Sequence, residues 1–252
     1  MATQDRLLET INYTNFFWFN HSLINPTKSW KHLSSAAKSI FPAIGIHLNA
    51  KGKCFPSLKR LAQLSGVSEK TAWTGVHDLD FAKFGGIEIE TIINRQGYSQ
   101  HRYFLPQPRG ILERNTAFQF FRSVIDGGNW ASIGHSARAL YPAIKHFSIF
   151  NIDAMEALGS KIEYRDPENF KDLYPHREFD FCVVGFPLLA DFAGISIRSL
   201  GTALKELEAA HLIEEFSYED RYSISARYDC KGFPRPEVPI YKVFIHPPCC
   251  FV

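Results

Sequence analysis

One run of residues occurs twice in this chain, one hundred positions apart. The run that follows Trp30 contains SAAKSIFPAI, and the run that follows Trp130 contains HSARALYPAI, so the two align without a gap. Three further pairs of segments match in the same order, namely residues 14–19 with 116–121, 61–68 with 189–196, and 103–106 with 241–247. Four matches in one order predict an internal duplication, and therefore two units with the same fold.

Hydrophobic spacing predicts a strand, three helices and a β-hairpin in each unit. In the first unit the helices begin after Ser34, Ser57 and Ser68, because a serine at a helix N-terminus can accept a backbone hydrogen bond. Residues 87–93 and 101–105 are rich in strand-forming side chains and flank a turn. The predicted fold class is α+β, mainly helical, with two tandem winged helix-turn-helix domains related by internal duplication.

The repeat and a proline-rich stretch define the predicted domains. They are an N-terminal domain at 1–108, a linker at 109–117, and a C-terminal domain at 118–252 with an insertion at about 151–180. Residues 26–110 carry 12 Lys/Arg and 5 Asp/Glu, whereas residues 118–246 carry 14 Lys/Arg and 18 Asp/Glu. The basic first half suits a polyanion, and the acidic second half, taken whole, does not.

The motif Leu61-Ala62-x-x-x-Gly66-Val67-Ser68 is typical of a helix-turn-helix. Ala62 has to be small because the next helix crosses over it, and Gly66 permits the left-handed turn. Val67 fills the corner, and Ser68 caps the helix that would enter the major groove. The second copy meets the same demands with Ala190, Gly194, Ile195 and Ser196.

Helix geometry indicates which side chains would face DNA, and their hydroxyl and basic groups suit phosphate and base contacts. In the first unit they are Ser68, Glu69, Lys70, Thr71, Thr74 and His77 on the third helix, and Arg95, Gln96, Gln100 and Arg102 on the wing. In the second unit they are Ser196, Arg198, Ser199, Thr202 and Lys205 on the third helix, and Arg221 and Arg227 on the wing. Trp73 lies at an inward phase of its helix and is predicted to belong to the core.

The segment before the second helix resembles a known family. Residues 49–57 (NAKGKCFPS) and the motif at 61–68 look like the winged helix-turn-helix domain of plasmid and phage replication proteins. The pair of units is similar to the tandem layout of plasmid replication initiators. This resemblance implies binding to repeated origin sequences, with one unit often also serving self-association.

Several other classes of protein do not fit the sequence. No apolar run approaches the roughly 20 residues of a membrane span. The five cysteines lack CxxC spacing and indicate neither a disulfide framework nor a zinc site, which fits a reducing cytoplasm. A GxxxxGK[ST] loop and a GxSxG elbow are both missing. We therefore expect a cytoplasmic protein that is not an enzyme and that needs no cofactor or metal.

The aromatic runs at 16–19 and 118–121 have two interpretations. They could be stacking platforms for single-stranded nucleic acid, but their place at the start of each unit favours core strands. Trp30 and Trp130, which occupy equivalent positions, are also predicted to be packing residues.

Three functions stay open at this point. The first is sequence-specific binding of double-stranded DNA by a replication initiator that recognises repeated or bipartite sites. The second is transcriptional regulation of the same genetic element, which uses the same chemistry. In the third, only the N-terminal unit binds DNA, and the C-terminal unit is an interaction module that forms a homodimer.

Overall fold

The computed structural model describes residues 16–24, 30–93, 97, 99–107, 117–149, 179–215 and 240–244. No helix in these ranges is both long and apolar enough to cross a membrane. Most of the predicted linker and insertion lies outside the described residues, as do four predicted DNA-contacting residues, Arg95, Gln96, Arg221 and Arg227.

The N-terminal half contains the strand, three helices and hairpin that the sequence predicts. Its elements are β1 (Phe16–Asn20), α1 (Ser35–Gly45), β2 (Lys53–Cys54), α2 (Leu58–Ser65), α3 (Glu69–Ala82), β3 (Glu88–Ile93) and β4 (Ser99–Phe104). Strands β3 and β4 form the antiparallel hairpin, and the sheet has the order β2-β4-β3.

The C-terminal half has elements in a similar order. They are β5 (Ala117–Phe121), α4 (Arg122–Asp126), α5 (Asn129–Ser132), α6 (His135–Phe147), β6 (Ser148–Ile149), β7 (Phe179–Val183), α7 (Phe186–Ala193), α8 (Ile197–Ala209), β8 (Ile213–Glu215) and β9 (Ile240–Phe244). The sheet order β6-β7-β9-β8 repeats the N-terminal order and adds one strand. A buried cysteine faces a buried tyrosine in each sheet, Cys54 opposite Tyr103 and Cys182 opposite Tyr241.

The two aromatic strands pair with each other across the halves. Strand β1 runs antiparallel to β5, with Phe17 opposite Phe120 and Phe19 opposite Phe118. The rings of Phe19 and Phe118 stack with centroids 5.0 Å apart. Their burial confirms that these runs are core strands. The pairing across the halves gives hydrogen-bond partners to backbone N–H and C=O groups that a single strand would leave unpaired.

Two buried tryptophans make reciprocal hydrogen bonds across the boundary between the two halves. We call this boundary, which includes the β1–β5 pair, the seam. The indole Nε1 of Trp30 donates to the carbonyl of Ala139 at 3.0 Å, and that of Trp130 donates to the carbonyl of Ser39 at 2.9 Å. Both tryptophans are fully buried, which confirms their prediction as packing residues. Each half therefore supplies the donor that satisfies a buried carbonyl in the first long helix of the other.

Two buried cations bond to backbone carbonyls near these tryptophans. Lys38 donates to the carbonyls of Lys31, at 3.3 Å, and Ala193, at 3.0 Å. Arg138, one hundred residues later, donates to the carbonyl of Ala131 at 3.1 Å. Burial lowers the pKa of Lys38 to about 8 and that of Arg138 to about 10. Both stay largely protonated at neutral pH, with carbonyl oxygens as their partners.

The buried residues of the two halves form a single hydrophobic core. Helix α1 packs on α3 and on α6, and α6 packs on α7 and α8. The domain boundaries stay a prediction, although Ala117, predicted as the last residue of the linker, begins β5. Because the halves share one core, the helix-turn-helix of each half is held partly by the other.

Replacing Trp130 with Phe is expected to destabilise the protein by about 2–4 kcal/mol, because the carbonyl of Ser39 loses its donor and the core loses volume. The matched control is Trp73→Phe, since Trp73 is exposed, and its effect should stay within about 0.5 kcal/mol. Urea unfolding of both variants measures the difference. Equal losses in the two variants would contradict the role given to the seam.

A histidine pair also joins the halves. Nδ1 of His21 lies 3.0 Å from Nδ1 of His146, in a setting that includes Phe118, Phe147 and Phe192. Burial and, secondarily, the charge of His21 lower the pKa of His146 to about 4. Burial lowers the pKa of His21 as well. Among the described residues, no third His, Cys, Asp or Glu joins this pair to form a metal site.

This pair predicts a loss of stability in mild acid. The unfolded chain binds a proton at a histidine pKa near 6.5, whereas the folded His146 resists protonation down to about 4. The free energy of unfolding should therefore fall as the pH drops from about 6.5 to about 4. His146→Phe should flatten this part of the profile, and His135→Asn, at an exposed histidine, should not. Identical profiles for the wild type and His146→Phe would count against the pair.

Candidate nucleic-acid interface

The connection between α2 and α3 has helix-turn-helix geometry. Helix α2 ends at Gly66, whose φ of 59° lies in the left-handed region. The amide of Val67 then donates to the carbonyl of Ala62 at 3.0 Å. Ser68 caps α3, with its hydroxyl oxygen accepting from the amide of Thr71 at 3.1 Å. The motif residues thus take the positions that the sequence predicts.

The connection between α7 and α8 repeats this geometry. Gly194 has a φ of 65°, and the amide of Ile195 donates to the carbonyl of Ala190 at 3.0 Å. Ser196 caps α8, with its hydroxyl oxygen accepting from the amide of Ser199 at 3.1 Å. Both halves therefore present a helix whose N-terminus is fixed by a left-handed glycine turn and a serine cap.

An acidic side chain on α3 and on α8 ties each helix to the start of the first long helix. On α3, Asp78 accepts a hydrogen bond from Ser34, the residue that caps α1. On α8, Glu206 accepts from the backbone amide of Gly134 at 2.7 Å. Ser34 donates through its hydroxyl group, whereas Gly134 has none. Glu206, which is one methylene longer than Asp78, accepts from the backbone amide of Gly134 instead. These carboxylates are used to hold α3 and α8 in place.

Five of the six predicted contact residues at the N-terminal end of α3 are exposed. The exposed ones are Ser68, Glu69, Lys70, Thr74 and His77. Thr71 is half-buried, and its hydroxyl lies 2.9 Å from that of Ser68. The opposite side of α3 is buried and includes Ala72, Val76 and Leu79. The free side of α3 is therefore polar near its N-terminus, as a groove-reading helix requires.

The prediction that Trp73 belongs to the core is wrong. Its side chain is 51% exposed and lies on the same face as Lys70, Thr74 and His77. Its ring packs against the ring of His77, with centroids 3.9 Å apart. Ala72 and Gly75 are buried and small, so α3 packs closely on α1. The buried face of α3 is therefore narrow, and Trp73 lies outside it.

Two basic residues at the start of α2 were missed by the sequence analysis. Lys59 and Arg60 are both exposed and lie in the first turn of α2, which Ser57 caps. A helix N-terminus favours anions, so these side chains and the free backbone amides suit a phosphate group. A Lys-Arg pair directly after a helix cap was the signal that could have identified them.

The wing of the first unit uses two of its predicted contact residues internally. Gln100 donates to the carbonyl of Phe55 at 3.1 Å. The guanidinium of Arg102 lies 5.5 Å from the Phe55 ring centroid and 3.3 Å from a carboxylate oxygen of Glu90. Both side chains thus hold the segment before α2 against the hairpin.

A histidine on the same hairpin lies near α3. Nδ1 of His101 is 3.3 Å from the hydroxyl of Thr91. Burial lowers the pKa of His101, and the charge of the nearby His77 lowers it further. Both effects favour the uncharged form of His101, whose ring nitrogen lies within hydrogen-bonding distance of Thr91 on the neighbouring strand.

The second helix-turn-helix keeps the predicted polar residues on α8. Arg198, Thr202 and Lys205 are exposed. Ser199 is half-buried, with its hydroxyl 2.8 Å from that of Ser196. These residues are presented much as their counterparts on α3.

The surroundings of α3 and α8 nevertheless differ in chemistry. Pro187 and Leu188 take the positions in α7 that Lys59 and Arg60 take in α2. Both are exposed, and Ile197, at the start of α8, is 62% exposed. The second unit is therefore apolar at the places where the first unit is basic or polar.

Comparison with known families gives a match within the first of these units. A family model described as a helix-turn-helix domain matches residues 31–80. These residues form a helix-turn-helix domain. The match covers α1, α2 and most of α3, and such a domain indicates DNA binding. Searches of curated proteins and of solved structures find no match to the chain.

The helix-turn-helix domain should not tolerate a side chain at Gly66. A Cβ there would overlap the backbone of Ala131, and the left-handed φ adds strain. We expect Gly66→Ala to destabilise the protein by at least about 2 kcal/mol. Gly201→Ala is the matched control, because Gly201 lies in α8 with open space around it. That variant should gain about 0.5–1 kcal/mol in helix stability. Thermal unfolding compares them, and a neutral Gly66→Ala would contradict the packing described.

Proposed function

We propose that this chain binds double-stranded DNA in a sequence-specific manner through the helix-turn-helix at residues 31–80. The observation that carries the proposal is the exposed N-terminal face of α3, with Lys70, Thr74 and His77, beside the basic first turn of α2. The major groove admits an α-helix, and short hydroxyl and basic side chains pair with its base edges. In this arrangement the protein takes part in no chemical reaction and needs no cofactor.

The basic residues divide into two roles. Lys59 and Arg60 lie at the N-terminus of α2 and would contact the phosphate backbone beside the groove. Lys70 and Thr74 lie on α3 and would reach the base edges. Phosphate contacts position the protein, and the contacts of α3 supply the sequence preference.

We further propose that the two halves arose by internal duplication and are related by an approximate two-fold axis. The support is reciprocity: Trp30 bonds to residue 139 and Trp130 bonds to residue 39, so the two donors, and likewise the two acceptors, are one hundred positions apart. Reciprocal contacts of this kind are characteristic of two-fold interfaces. If both units read bases, their half-sites would then be inverted with respect to each other.

The biological role that we propose is replication initiation on a plasmid or phage, in the cytoplasm. It rests on the resemblance of residues 49–57 to initiator domains and on the two helix-turn-helix units in one chain. An initiator would bind several repeats of its site. Regulation of transcription at a single operator uses the same surface, and the number of sites in the target replicon separates the two roles.

A second candidate function is favoured by the apolar surface of the C-terminal unit. Leu188 and Ile197 are exposed at positions where the first unit carries Arg60 and Glu69. In this alternative the N-terminal unit alone binds DNA, and the C-terminal unit associates with a second copy of the chain. Leu188→Arg, which copies the residue of the first unit, should then convert a dimer to a monomer in sedimentation experiments.

DNA binding is tested by selecting duplexes from a random pool and then titrating the selected duplex. Lys70→Ala should weaken binding at least about tenfold and relax the sequence preference. Lys83→Ala is the matched control, because Lys83 follows the other end of α3 and pairs with Asp80 at 2.6 Å. Its affinity should match that of the wild type.

The same titration separates the two candidates. If both units read bases, Arg198→Ala should lose as much affinity as Lys70→Ala, and the selected motif should be bipartite. If the C-terminal unit only associates, Arg198→Ala should bind normally. Failure to select any duplex, or equal affinity of Lys70→Ala and the wild type, would refute DNA binding by α3.

A further inference from the structure

Trp73 is an exposed aromatic residue in the middle of a face that is otherwise polar. Trp30 and Trp130 are fully buried, whereas half of the Trp73 surface faces solvent. Leaving so large an apolar ring in water forgoes the free energy that its burial would provide. Because Trp73 lies among Lys70, Thr74 and His77 on the face of α3 that we propose enters the major groove, its ring would be covered when DNA binds.

His77 holds the Trp73 ring before any ligand arrives. The two rings are one helical turn apart and are in contact, with centroids 3.9 Å apart and planes inclined at 58°. This contact restricts the rotation of the indole. The exposed part of the indole lies on the same side of α3 as Lys70 and Thr74.

We propose that Trp73 reads thymine by packing its indole edge against the C5-methyl groups in the major groove. This inference rests on the DNA-binding function proposed above. The thymine methyl is the apolar feature among the base edges of the major groove, whose other distinctive groups are hydrogen-bond donors and acceptors. The carbon edge of an indole cannot pair with those polar groups, because its one donor is Nε1–H, but it can bury a methyl group.

Stacking on an unpaired base fits the geometry less well. A stacking platform takes bases that have left the duplex, whereas the exposed face of a helix-turn-helix's second helix meets an intact major groove. Bases inside a duplex present their edges and not their faces to the groove. Contact with a methyl group needs no base to leave the helix.

The second unit has no equivalent of this residue. Gly201 takes the position in α8 that Trp73 takes in α3, and within the described residues nothing lies within 4 Å of where its Cβ would be. Lys205 takes the position of His77. Thymine reading is therefore assigned to the N-terminal unit, and any half-site of the C-terminal unit would lack this preference.

The test replaces thymine with deoxyuridine, which lacks only the methyl group. In the selected duplex, each thymine is changed singly, and affinity is measured for the full-length wild type and for Trp73→Ala. The wild type should lose about three- to tenfold at one or two thymines, the effect expected for one buried methyl group. Trp73→Ala should bind more weakly overall and should not distinguish thymine from deoxyuridine at those positions.

Phe81→Ala is the matched control. Phe81 is 94% exposed and lies on the same helix, but it is near the C-terminal end of α3. This variant should keep the wild-type preference for thymine. Because Trp73 and Phe81 are both exposed, neither variant should change the midpoint of unfolding, so altered affinity would not reflect misfolding.

The outcomes separate the two proposals. Equal affinity for thymine and deoxyuridine at every position in the wild type, or a preference that survives in Trp73→Ala, overturns thymine reading. DNA binding that depends on Lys70 would then still stand. Failure to bind any duplex overturns both.

Discussion

The antiparallel contact between the two aromatic strands is the interaction on which the rest of the structure depends. Strand β1 pairs with β5, and the Trp30 and Trp130 indoles bond reciprocally beneath them. The turns at Gly66 and Gly194 lie against the backbones of Ala131 and Lys31, each in the opposite half. Because each helix-turn-helix rests on the other half of the chain, damage to the seam should disturb both recognition helices.

The two recognition helices share a frame but differ in surface. Serine caps and left-handed glycines place α3 and α8 in the same way, and Asp78 and Glu206 secure them from behind. The first unit adds basic groups at α2 and an aromatic pair on α3, whereas the second exposes Pro187 and Leu188. The shared frame accounts for the similar placement of the two helices, and the differing surfaces support our proposal that the first unit is the principal DNA reader.

Local patterns predicted the elements well, but they could not predict how the halves meet. Ser68 and Gly66 act within a few residues of chain, so their cap and turn follow from the sequence. The partner of β1 lies about one hundred residues away, and no local pattern specifies that Phe17 faces Phe120. The prediction that Trp73 is buried is wrong for a related reason. Periodicity gives the phase of a residue on its helix, but the width of the buried face depends on how closely α1 packs. The internal uses of Gln100 and Arg102 likewise depend on Phe55, which is distant in sequence.

We propose above that the N-terminal face of α3 enters the major groove, and a structure of the full chain bound to its selected duplex would test this proposal. In that complex Lys70 and Thr74 should lie within hydrogen-bonding distance of base edges, and the first turn of α2 should lie against a phosphate group. A complex in which α3 is covered by protein, or in which the DNA contacts only the C-terminal unit, would contradict it.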